Sequence, residues 1–508
     1  MLRVISVISV VLGFLFSNSS QANEGIDASI NALLSPISNK IAGTVFWSFS
    51  FLGADIRIIV LWLIAGAIFC TFYFNFLNLT FFKHALDLVR GKYDNPDAKG
   101  EVSHFQALST AISGTVGLGN IAGVAVAVTI GGPGATFWMI LAGFLGMSLK
   151  FCECTLGVKY RQIDGDGTVS GGPMYYLSKG LEEKGMASLG KFLAIFFSIC
   201  CIGGALGGGN MFQANQSFQQ FVSVTGGETS FFADKGWLFG LILAVVLGVV
   251  IIGGIKSIAK VTSRLVPFMA IIYLIAGVVI ILFHITDLPS AVMRIISEAF
   301  APSAVAGGAI GALIIGFQRA AFSNEAGLGS APIAHSAVKS DIPVTEGIVS
   351  LLEPFIDTII ICTVTALVIV ISGAYDNQSI SGVTGIALTS VAFEKTIPWF
   401  PYVLALAAIL FAFSTMIAWS YYGLKSWTYL FGNTLISENI FKLIFCVFVI
   451  IGSSISLGSV LDLSDSMIFL MAVANIVGIY ILAGVVKKEI DDYKLLLSSG
   501  KIKKTNDN

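Results

Sequence analysis

Eleven long, continuously apolar runs dominate this chain of 508 residues. Each run is long enough to cross a hydrocarbon core of about 30 Å as a helix. Because apolar and polar residues do not alternate within the runs, transmembrane β-strands are excluded. The sequence therefore predicts an all-α integral membrane protein with about 11 transmembrane helices, called spans 1–11 below. In order, the spans cover approximately 53–78, 103–127, 133–158, 190–209, 236–254, 261–285, 306–330, 343–372, 400–423, 437–457 and 466–487.

The composition agrees with a fold embedded in lipid. Charged residues make up 12% of the chain, whereas soluble domains carry roughly 25%. The 29 basic and 30 acidic residues nearly cancel, so there is no basic footprint for nucleic acid and the expected partner is the lipid bilayer. The seven cysteines and four histidines are scattered without metal-ligand spacing, which argues against a metalloenzyme.

Residues 1–22 have the features of a secretory signal peptide. Arg3 supplies the positive start, and an apolar stretch runs from Val4 to Phe16. Ser20-Gln21-Ala22 then forms a small-x-small cleavage site. An uncleaved additional helix is the alternative. The predicted organisation is a signal peptide at 1–22, a short periplasmic segment at 23–50, a transmembrane domain at 51–488 and a cytoplasmic tail at 489–508.

Lysine and arginine are distributed asymmetrically between the loops. With the mature N-terminus outside, 21 of the 29 fall in the inside loops and tail, five fall outside and three lie in apolar segments. Cytoplasmic loops of membrane proteins carry the excess of positive charge. The sequence thus predicts a multi-pass protein of a bacterial inner (plasma) membrane, with a periplasmic N-terminus and a cytoplasmic C-terminus.

Spans 2–6 and 7–11 form two sets of five, and the first span of each set is interrupted by glycines. Span 2 contains SGTVGLGNIAG at 113–123, and span 7 contains GGAIGALIIGFQRAAFSNEAGLGS at 307–330. Since five is odd, the second set must lie inverted relative to the first. An unwound helix frees backbone groups that lipid cannot satisfy, so matching breaks point to the binding site of an inverted-repeat transporter. Close helix packing is the alternative, above all for Gly123 and Gly308.

Four stretches resemble motifs of a known family, the alanine or glycine:cation symporters (sodium:alanine symporters). The resemblance covers spans 1–11, with one visible departure at Ile140, where the family usually has tryptophan. It implies a LeuT-type 5+5 inverted repeat with a discontinuous first helix in each half. It also implies sodium-coupled import of a small neutral amino acid, alanine or glycine, with sodium co-transported and no organic cofactor. The stretches are GTVGLGNIAGVAVAVTIGGPGATFWMILAGFLG at 114–146, FSNEAGLGSAPIAHSA at 322–337, LEPFIDT at 352–358 and FSTMIAWSYYG at 413–423.

The resemblance places the substrate at the unwound part of span 2. Backbone N–H groups of this segment would bind the substrate carboxylate. The Asn120 side chain would either coordinate a cation or tie the loop down. The segment comprises Gly114, Thr115, Gly117, Gly119 and Asn120.

A sodium site is implied where spans 2 and 9 meet. Ser414 and Thr415 offer adjacent hydroxyls one turn after Phe411, and Thr415 is also expected to face the substrate. The carbonyls of Ser113 and Val116 would complete a set of oxygen ligands, which hard cations prefer. The alternative is that both hydroxyls bond to their own helix backbone.

Five more residues are expected to shape the substrate pocket. Trp419 lies four residues after Thr415 on the same helix face, and the resemblance implies that it limits side-chain size. Phe317 would pack on the substrate side chain, and Gln213, with Asn215 beside it, would reach the substrate amine. The alternatives are an interfacial anchor for Trp419, core packing for Phe317 and a solvated loop for Gln213. The five are Gln213, Leu313, Gly316, Phe317 and Trp419.

Acidic residues within or beside apolar spans are expensive and face a cavity or a partner. Glu353 and Asp357 are i,i+4 neighbours, and Arg319 or Lys150 could pair with them. Three roles stay open for these acids: a cytoplasmic-gate salt network, a substrate-amine or cation contact, and a structural pair at a helix end. Glu325 is expected nearer the cytoplasm as a gate or a loop tie. The acids in question are Glu153, Glu325, Glu353 and Asp357.

Other classes of function fit the sequence less well. A channel needs a polar stripe or charged rings along a pore, and no span carries one. An enzyme needs clustered catalytic side chains, and none is visible. The remaining alternative is a proton- or sodium-coupled symporter of a different small solute on the same fold.

Overall fold

The computed structural model describes residues 26–51, 53–95, 97–301, 308–376 and 385–502. The predicted signal peptide and its cleavage site lie outside the described residues. Helices α1–α18 and two short hairpins make up the described fold. The helices are α1 Ile26–Val45, α2 Ile58–Tyr73, α3 Phe82–Val89, α4 His104–Thr115, α5 Gly119–Gly131, α6 Gly134–Lys159, α7 173–183, α8 Ala187–Val224, α9 Gly236–Ile251, α10 Gly254–Phe283, α11 Leu288–Ala299, α12 Gly308–Asn324, α13 Ala331–His335, α14 Pro343–Ser372, α15 Ile386–Glu394, α16 Phe400–Phe431, α17 Leu435–Ser454 and α18 Leu457–Ser498.

Short turns complete the chain between these helices. One helical turn covers Leu77–Thr80, and 3₁₀ turns cover Gly227–Thr229 and Ala374–Asp376. The hairpins are antiparallel, with strands β1 Ser48–Phe51, β2 Ala54–Arg57, β3 Gln162–Ile163 and β4 Val169–Ser170.

Every predicted apolar span contains a helix. Within the described residues, seven helices are long and apolar enough to cross a membrane, or eight when the bent pair α4 and α5 is counted as one span. Helices α2 and α9 are apolar but shorter, with 16 residues each. The prediction of a helical, multi-pass membrane protein is therefore confirmed, whereas the number 11 and the 5+5 repeat stay predictions.

Span 2 is broken in the middle. Ser103 and Gln106 form a reciprocal capping box that starts α4. The helix ends at Thr115 because Val116 takes an extended conformation, with φ −77° and ψ 90°. The chain turns by 50° and resumes at Gly119 with one π-helical turn. Irregular backbone at this depth must be satisfied by protein or by a ligand, since lipid offers no hydrogen bonds.

Span 7 is broken nearer its C-terminal end. Helix α12 ends at Asn324, and Glu325 adopts a left-handed conformation with φ 58°. Gly327 and Gly329 also have positive φ before α13 begins. A non-glycine residue in the left-handed region is uncommon and marks a constrained turn.

Helix α16 lies at the centre of the bundle, in contact with α4, α8, α10 and α17. Helix α6 packs on the opposite side of the broken spans, against α2, α12 and α14. Besides α7, which has a π-helical turn at Tyr176–Gly180, two further helices carry π-helical stretches, Gly207–Met211 in α8 and Phe355–Cys362 in α14. Such π-bulges are frequent at functional sites, and these two face the breaks of spans 2 and 7.

Candidate functional site

The break in span 2 redirects three backbone N–H groups. Gly117 donates to Asn120 Oδ1 at 2.9 Å instead of to the carbonyl of Ser113. Leu118 donates to Gln213 Oε1 at 3.1 Å instead of to the carbonyl of Gly114. Asn120 donates to the Gly117 carbonyl at 3.3 Å instead of to that of Val116. The carbonyls of Ser113, Gly114 and Val116 are therefore released from the helical i to i−4 pattern.

Ser113 and Ser414 join the end of α4 to α16. The Ser113 hydroxyl lies 2.7 Å from the Ser414 carbonyl and 2.9 Å from the Ser414 hydroxyl. The Ser414 hydroxyl in turn lies 3.5 Å from the Ser113 carbonyl. These two members of the predicted sodium site are thus in direct contact. Phe411, one turn earlier, is fully buried against the ring of Tyr273.

Thr415 presents a hydroxyl that has no partner in the described part of the chain. The residue is 2% exposed, and its Oγ1 makes no hydrogen bond to any described residue. A Cβ built on Gly117 would collide with this oxygen, so only glycine permits such a close approach of α4 to α16. Since buried polar atoms are nearly always paired, the free hydroxyl beside released carbonyls points to a ligand. It does not bond to its own helix, which was the alternative.

Tyr422 adds a second unpartnered hydroxyl that sequence reasoning missed. Its OH is buried without a hydrogen bond among the described residues, and it would lie 2.9 Å from a Cβ on Gly114. Tyr422 follows Thr415 by seven residues, which is two helical turns on the same face. That spacing was the signal that could have identified it.

Gln213 connects the two irregular segments of α5 and α8. Its Oε1 accepts from Leu118, and its Nε2 donates to the Gly208 carbonyl at 3.0 Å. It is buried at the span 2 break rather than in a loop. Asn215 instead donates to the carbonyls of Gly452 and Ile455 at the end of α17, so these two neighbours serve different elements.

Asn120 is held by Asp357 on the π-helical stretch of α14. Its Nδ2 lies 2.6 Å from Asp357 Oδ1 and 3.1 Å from the Asp357 carbonyl. Asp357 Oδ2 accepts from Ser323 at 2.8 Å and from Thr358 at 2.7 Å. This buried carboxylate therefore connects both broken spans. The sequence singled out Asp357 but could not show that it faces Asn120.

Trp419 reaches the break in span 7. Its indole N–H donates to Glu325 Oε1 at 2.9 Å, and the other carboxylate oxygen accepts from Ser330. The ring covers Gly209, because a Cβ there would collide with it. Trp419 is 1% exposed, so it packs inside the bundle rather than at the membrane interface.

The span 7 residues expected at the substrate lie on more than one face of α12. Gly316 packs closely on α6, where a Cβ would lie 2.6 Å from the Trp138 side chain. Phe317 borders a small gap between α2 and α6, and Leu313 is partly buried. The aromatic ring at the break is Phe322, which packs on Phe212 at 5.3 Å between ring centroids.

Phe322 was not identified from the sequence, because Phe317 is the aromatic residue near the middle of span 7. Phe322 lies five residues later, close to the end of the helix. A Cβ on Gly119 would lie 3.6 Å from its ring, and one on Gly208 would lie 3.4 Å from it. Phe322 thus faces both irregular segments. The predicted contact of Phe317 with substrate stays a prediction.

Charged residues form two separate clusters. On the side of the first hairpin, Arg319 pairs with Asp465 of α18, and Gln318 donates to the same carboxylate at 3.0 Å. Arg57 donates to Gln318 from the end of β2. Arg319 therefore does not pair with Glu353 or Asp357, which was one of the options open from the sequence.

The other cluster lies around α6 and α14. Lys150 forms a fully buried ion pair with Glu353 at 3.1 Å. Glu153 accepts from Asn475 of α18, which also donates to the Gly327 carbonyl at 2.9 Å. A buried pair is costly to separate, so these contacts fix α6, α14 and α18 around the break in span 7.

A helical bundle whose broken spans gather polar groups away from lipid has the architecture of a membrane transporter. The chain belongs to the Sodium:alanine symporter family, whose model matches residues 40–507. Sodium/alanine symporter AgcS of Methanococcus maripaludis is 41% identical over 84% of this chain and 92% of its own length. Probable sodium/glutamine symporter GlnT of Bacillus subtilis is 32% identical over 91% of each chain.

A solved structure shows the same type of fold. MhsT in complex with L-phenylalanine superimposes with a TM-score of 0.55 at 15% identity, covering 73% of this chain and 87% of that one. At this identity the likeness concerns the fold alone, which is LeuT-like. The predicted family is confirmed, and the chain is a membrane symporter of the amino-acid:cation kind rather than an enzyme.

Proposed function

We propose that this protein imports a small neutral amino acid, alanine or glycine, by sodium-coupled alternating access. The name of the relative AgcS, a sodium/alanine symporter, supports this substrate and ion. The observation that carries the proposal is the buried Thr415 hydroxyl, which has no partner among the described residues and faces Gly117. Hydroxyl and carbonyl oxygens without a net charge suit a monovalent hard cation.

The sodium ligands in this proposal are the hydroxyls of Ser414 and Thr415 with the released carbonyls of Ser113 and Val116. Phe411 belongs to the same turn of α16 and would contribute its carbonyl. The Asn120 side chain is occupied by Asp357 and the Gly117 N–H, which supports its role as a loop tie. The substrate would lie against the same segment, where Gly114, Thr115, Gly117 and Gly119 leave little bulk.

The pocket admits small side chains in this proposal. Trp419 and Phe322 both press on glycines of the π-helical stretch of α8. Leu313, Gly316 and Phe317 would line the α12 side, and Gln213 would position the backbone that receives the substrate. Alanine and glycine should then compete for uptake, whereas leucine should not.

A different small solute on the same fold is the second candidate. The observation that favours it is the relative GlnT, named a probable sodium/glutamine symporter, which matches 91% of this chain. Glutamine has a longer polar side chain than alanine. Competition by glutamine at the same concentration as alanine would favour this alternative.

The deciding experiment is uptake of radiolabelled alanine into proteoliposomes that contain the full chain. The vesicles carry an inward sodium gradient, an inward proton gradient, or neither. We expect concentrative uptake with the sodium gradient only. Equal uptake in all three conditions would refute ion coupling, and uptake with the proton gradient alone would replace sodium by protons.

The proposal includes a topology in a bacterial inner membrane. Ten spans would form a LeuT-type 5+5 inverted repeat with span 1 outside it, a periplasmic N-terminus and a cytoplasmic C-terminus. Reporter fusions at Lys92 and Lys179 should then give cytoplasmic signals, and a fusion at Gly227 a periplasmic one. The opposite pattern would overturn the inverted repeat, because the assignment depends on an odd number of membrane crossings in each half.

A further inference from the structure

A row of buried titratable side chains runs between α4 and α6 and is distinct from the residues assigned to sodium and substrate. Glu346 Oε2 is hydrogen-bonded to His104 Nδ1, and Glu346 Oε1 lies 2.5 Å from His335 Nδ1. His335 Nε2 lies 3.4 Å from Glu353 Oε2, and Glu353 Oε1 lies 3.1 Å from Lys150. His104 and its partner Glu346 are 242 residues apart in sequence.

His335 is the informative member, because both of its ring nitrogens face carboxylate oxygens. A neutral imidazole has one N–H donor and one acceptor nitrogen, whereas an ionised carboxylate only accepts. With a neutral His335, the unprotonated ring nitrogen would therefore face a carboxylate oxygen, and neither atom could donate a hydrogen bond to the other. The group of His335, Glu346 and Glu353 must carry one additional proton to complete its hydrogen bonds. All three side chains are fully buried, so bulk solvent does not contact them.

The surrounding charges also favour this proton. Lys150 is the fixed cation of the cluster, and it faces several carboxylates in a region where unpaired charge is expensive. An imidazolium at His335 reduces the excess of negative charge. The titratable groups that face His335 or its partners are Asp94 after α3, His104 of α4, Lys150, Glu153 and Cys154 of α6, Glu325 of the span 7 break, Glu346, Glu353 and Asp357 of α14, Tyr422 of α16 and Arg161 after α6.

The histidines belong to the two broken spans, and the acids belong to a different helix. His104 begins α4 and His335 ends α13, whereas Glu346 and Glu353 lie in α14. The two half-helices are also joined by backbone: Glu101 donates to the Ala337 carbonyl at 2.8 Å, and Lys339 donates to the Val102 carbonyl at 2.8 Å. Arg161 donates to four carbonyls of the same segments, those of Lys99, Ser336, Val338 and Ser340.

These backbone contacts make α4 and α13 one unit, which we call the paired half-helices (residues 99–115 and 331–340). If this unit moves away from α14, His104 and His335 lose Glu346 at the same time. Water then reaches the imidazole, and the additional proton has no second carboxylate to hold it. The proton is thus bound when the unit is closed on α14 and released when it opens.

We propose that His335, between Glu346 and Glu353, is a proton-binding site that holds the paired half-helices closed against α14, so that cytoplasmic protons oppose inward opening. The direction rests on the proposed topology, which places this cluster toward the cytoplasm. His104 lies 4.0 Å from Asp94, whose side chain is 47% exposed, so a short route connects the cluster to the aqueous side. The proton is exchanged with one side only and is not carried across the membrane.

The test uses right-side-out membrane vesicles from cells that express the full chain. The external pH stays at 7 while the loading buffer sets the luminal pH between 6 and 9, and the initial rate of alanine uptake is measured. One proton changes an equilibrium at most tenfold per pH unit, and we expect the rate to rise about threefold or more across this range. A flat profile in the unmodified protein would overturn the proposal.

Two variants locate the effect. His335→Gln has no titratable group, so its rate should not depend on luminal pH. Glu346→Gln removes one of the two carboxylates, so the midpoint should fall by about 1–3 pH units. The matched control is His284→Gln, an exposed histidine on the far end of α10 that bonds to Thr396, and it should keep the original profile.

Sodium-stimulated alanine binding to the solubilised variants shows that they are folded. A His335→Gln protein that binds alanine and keeps the original luminal-pH profile would refute the proton site, as would an unshifted midpoint in Glu346→Gln. Sodium dependence is measured separately at luminal pH 9. If alanine uptake by the unmodified protein does not depend on sodium, sodium coupling is refuted. The luminal-pH profile could then still be measured by alanine exchange, so the two proposals fail separately.

Discussion

Removing the Thr415 hydroxyl gives the sharpest test of the sodium site. Thr415→Val keeps the shape of the side chain and replaces the oxygen by a methyl group. A hydrogen-bond-strength contact to a charged group contributes about 1.5–3 kcal/mol, and about 1.4 kcal/mol corresponds to a tenfold change in an equilibrium constant. The sodium concentration for half-maximal alanine uptake should therefore rise about tenfold or more. Because coupling between ligands is reciprocal, alanine affinity at fixed sodium should fall as well.

The stability of the sodium-free protein provides a second readout. The Thr415 hydroxyl has no hydrogen bond to lose, so Thr415→Val should not lower the melting temperature in sodium-free buffer. Thr365→Val is the matched control, because its hydroxyl bonds to Tyr273 at 2.8 Å and to the Ile361 carbonyl at 3.1 Å. That variant should lose about 1 kcal/mol of stability with an unchanged sodium curve.

Two milder substitutions complete the series. Thr415→Ser retains the oxygen and should stay close to the unmodified sodium curve. Ser414→Ala removes hydrogen bonds to Ser113, so it should lower stability as well as sodium affinity. The assay is alanine uptake as a function of sodium concentration for all variants. Normal transport with an unshifted sodium curve in Thr415→Val would remove this residue from the ion site.

Three further outcomes follow from contacts of the described residues. Gly117→Ala should abolish uptake, because its Cβ would collide with the facing threonine hydroxyl, whereas Gly123→Ala, with open space around its Cβ, should transport normally. Asp465→Ala leaves the buried guanidinium of Arg319 without its carboxylate and should lower the free energy of unfolding by about 3–5 kcal/mol. The additional change Arg319→Met should restore most of this loss, as measured by thermal unfolding. Trp419→Phe deletes the indole N–H that reaches the span 7 break, and initial uptake rates should fall about tenfold.

The helices were predictable because hydropathy alone identifies segments that lipid can accept. Their ends were less predictable where polar residues are buried. Span 4 was expected at 190–209, but α8 runs from Ala187 to Val224. The additional turns contain Gln213, Asn215 and Gln220, whose amides bond to segments outside α8, with Gln213 accepting from Leu118 at the span 2 break, and are not in water. A local hydropathy average predicts a loop at such residues, because it contains no information about hydrogen-bond partners that are distant in sequence.

The breaks were predictable for a similar local reason, since clustered glycines and a following polar residue mark a place where a helix can unwind. What the breaks bond to was not predictable. Asn120 meets Asp357 from 237 residues away, and Arg319 meets Asp465 rather than the acids of α14. Charge and burial narrow the choice of partner for each residue, but only packing decides among several acids of equal chemistry.

The site formed by the buried histidines also could not be predicted from the sequence. In the sequence, His104 and His335 have no spacing that suggests a site. The fold brings both to the two oxygens of Glu346, because the two half-helices that carry them are joined by backbone hydrogen bonds. A site assembled from two chain breaks and a third helix leaves no local pattern for sequence reasoning to detect.

The hydrogen bonding of the span 2 break explains why an ion would bind at Thr415. Gln213 satisfies one redirected N–H group, and Asn120, itself held by Asp357, satisfies another. These two donors of the unwound segment are thus fixed by side chains that α8 and α14 supply or hold in place. The hydroxyls of Thr415 and Tyr422, which have no partners among the described residues, lie against Gly117 and Gly114 of the same segment. A segment with satisfied donors and free acceptors favours a cation over an anion, and its rigid supports hold the oxygens in place before the ion arrives.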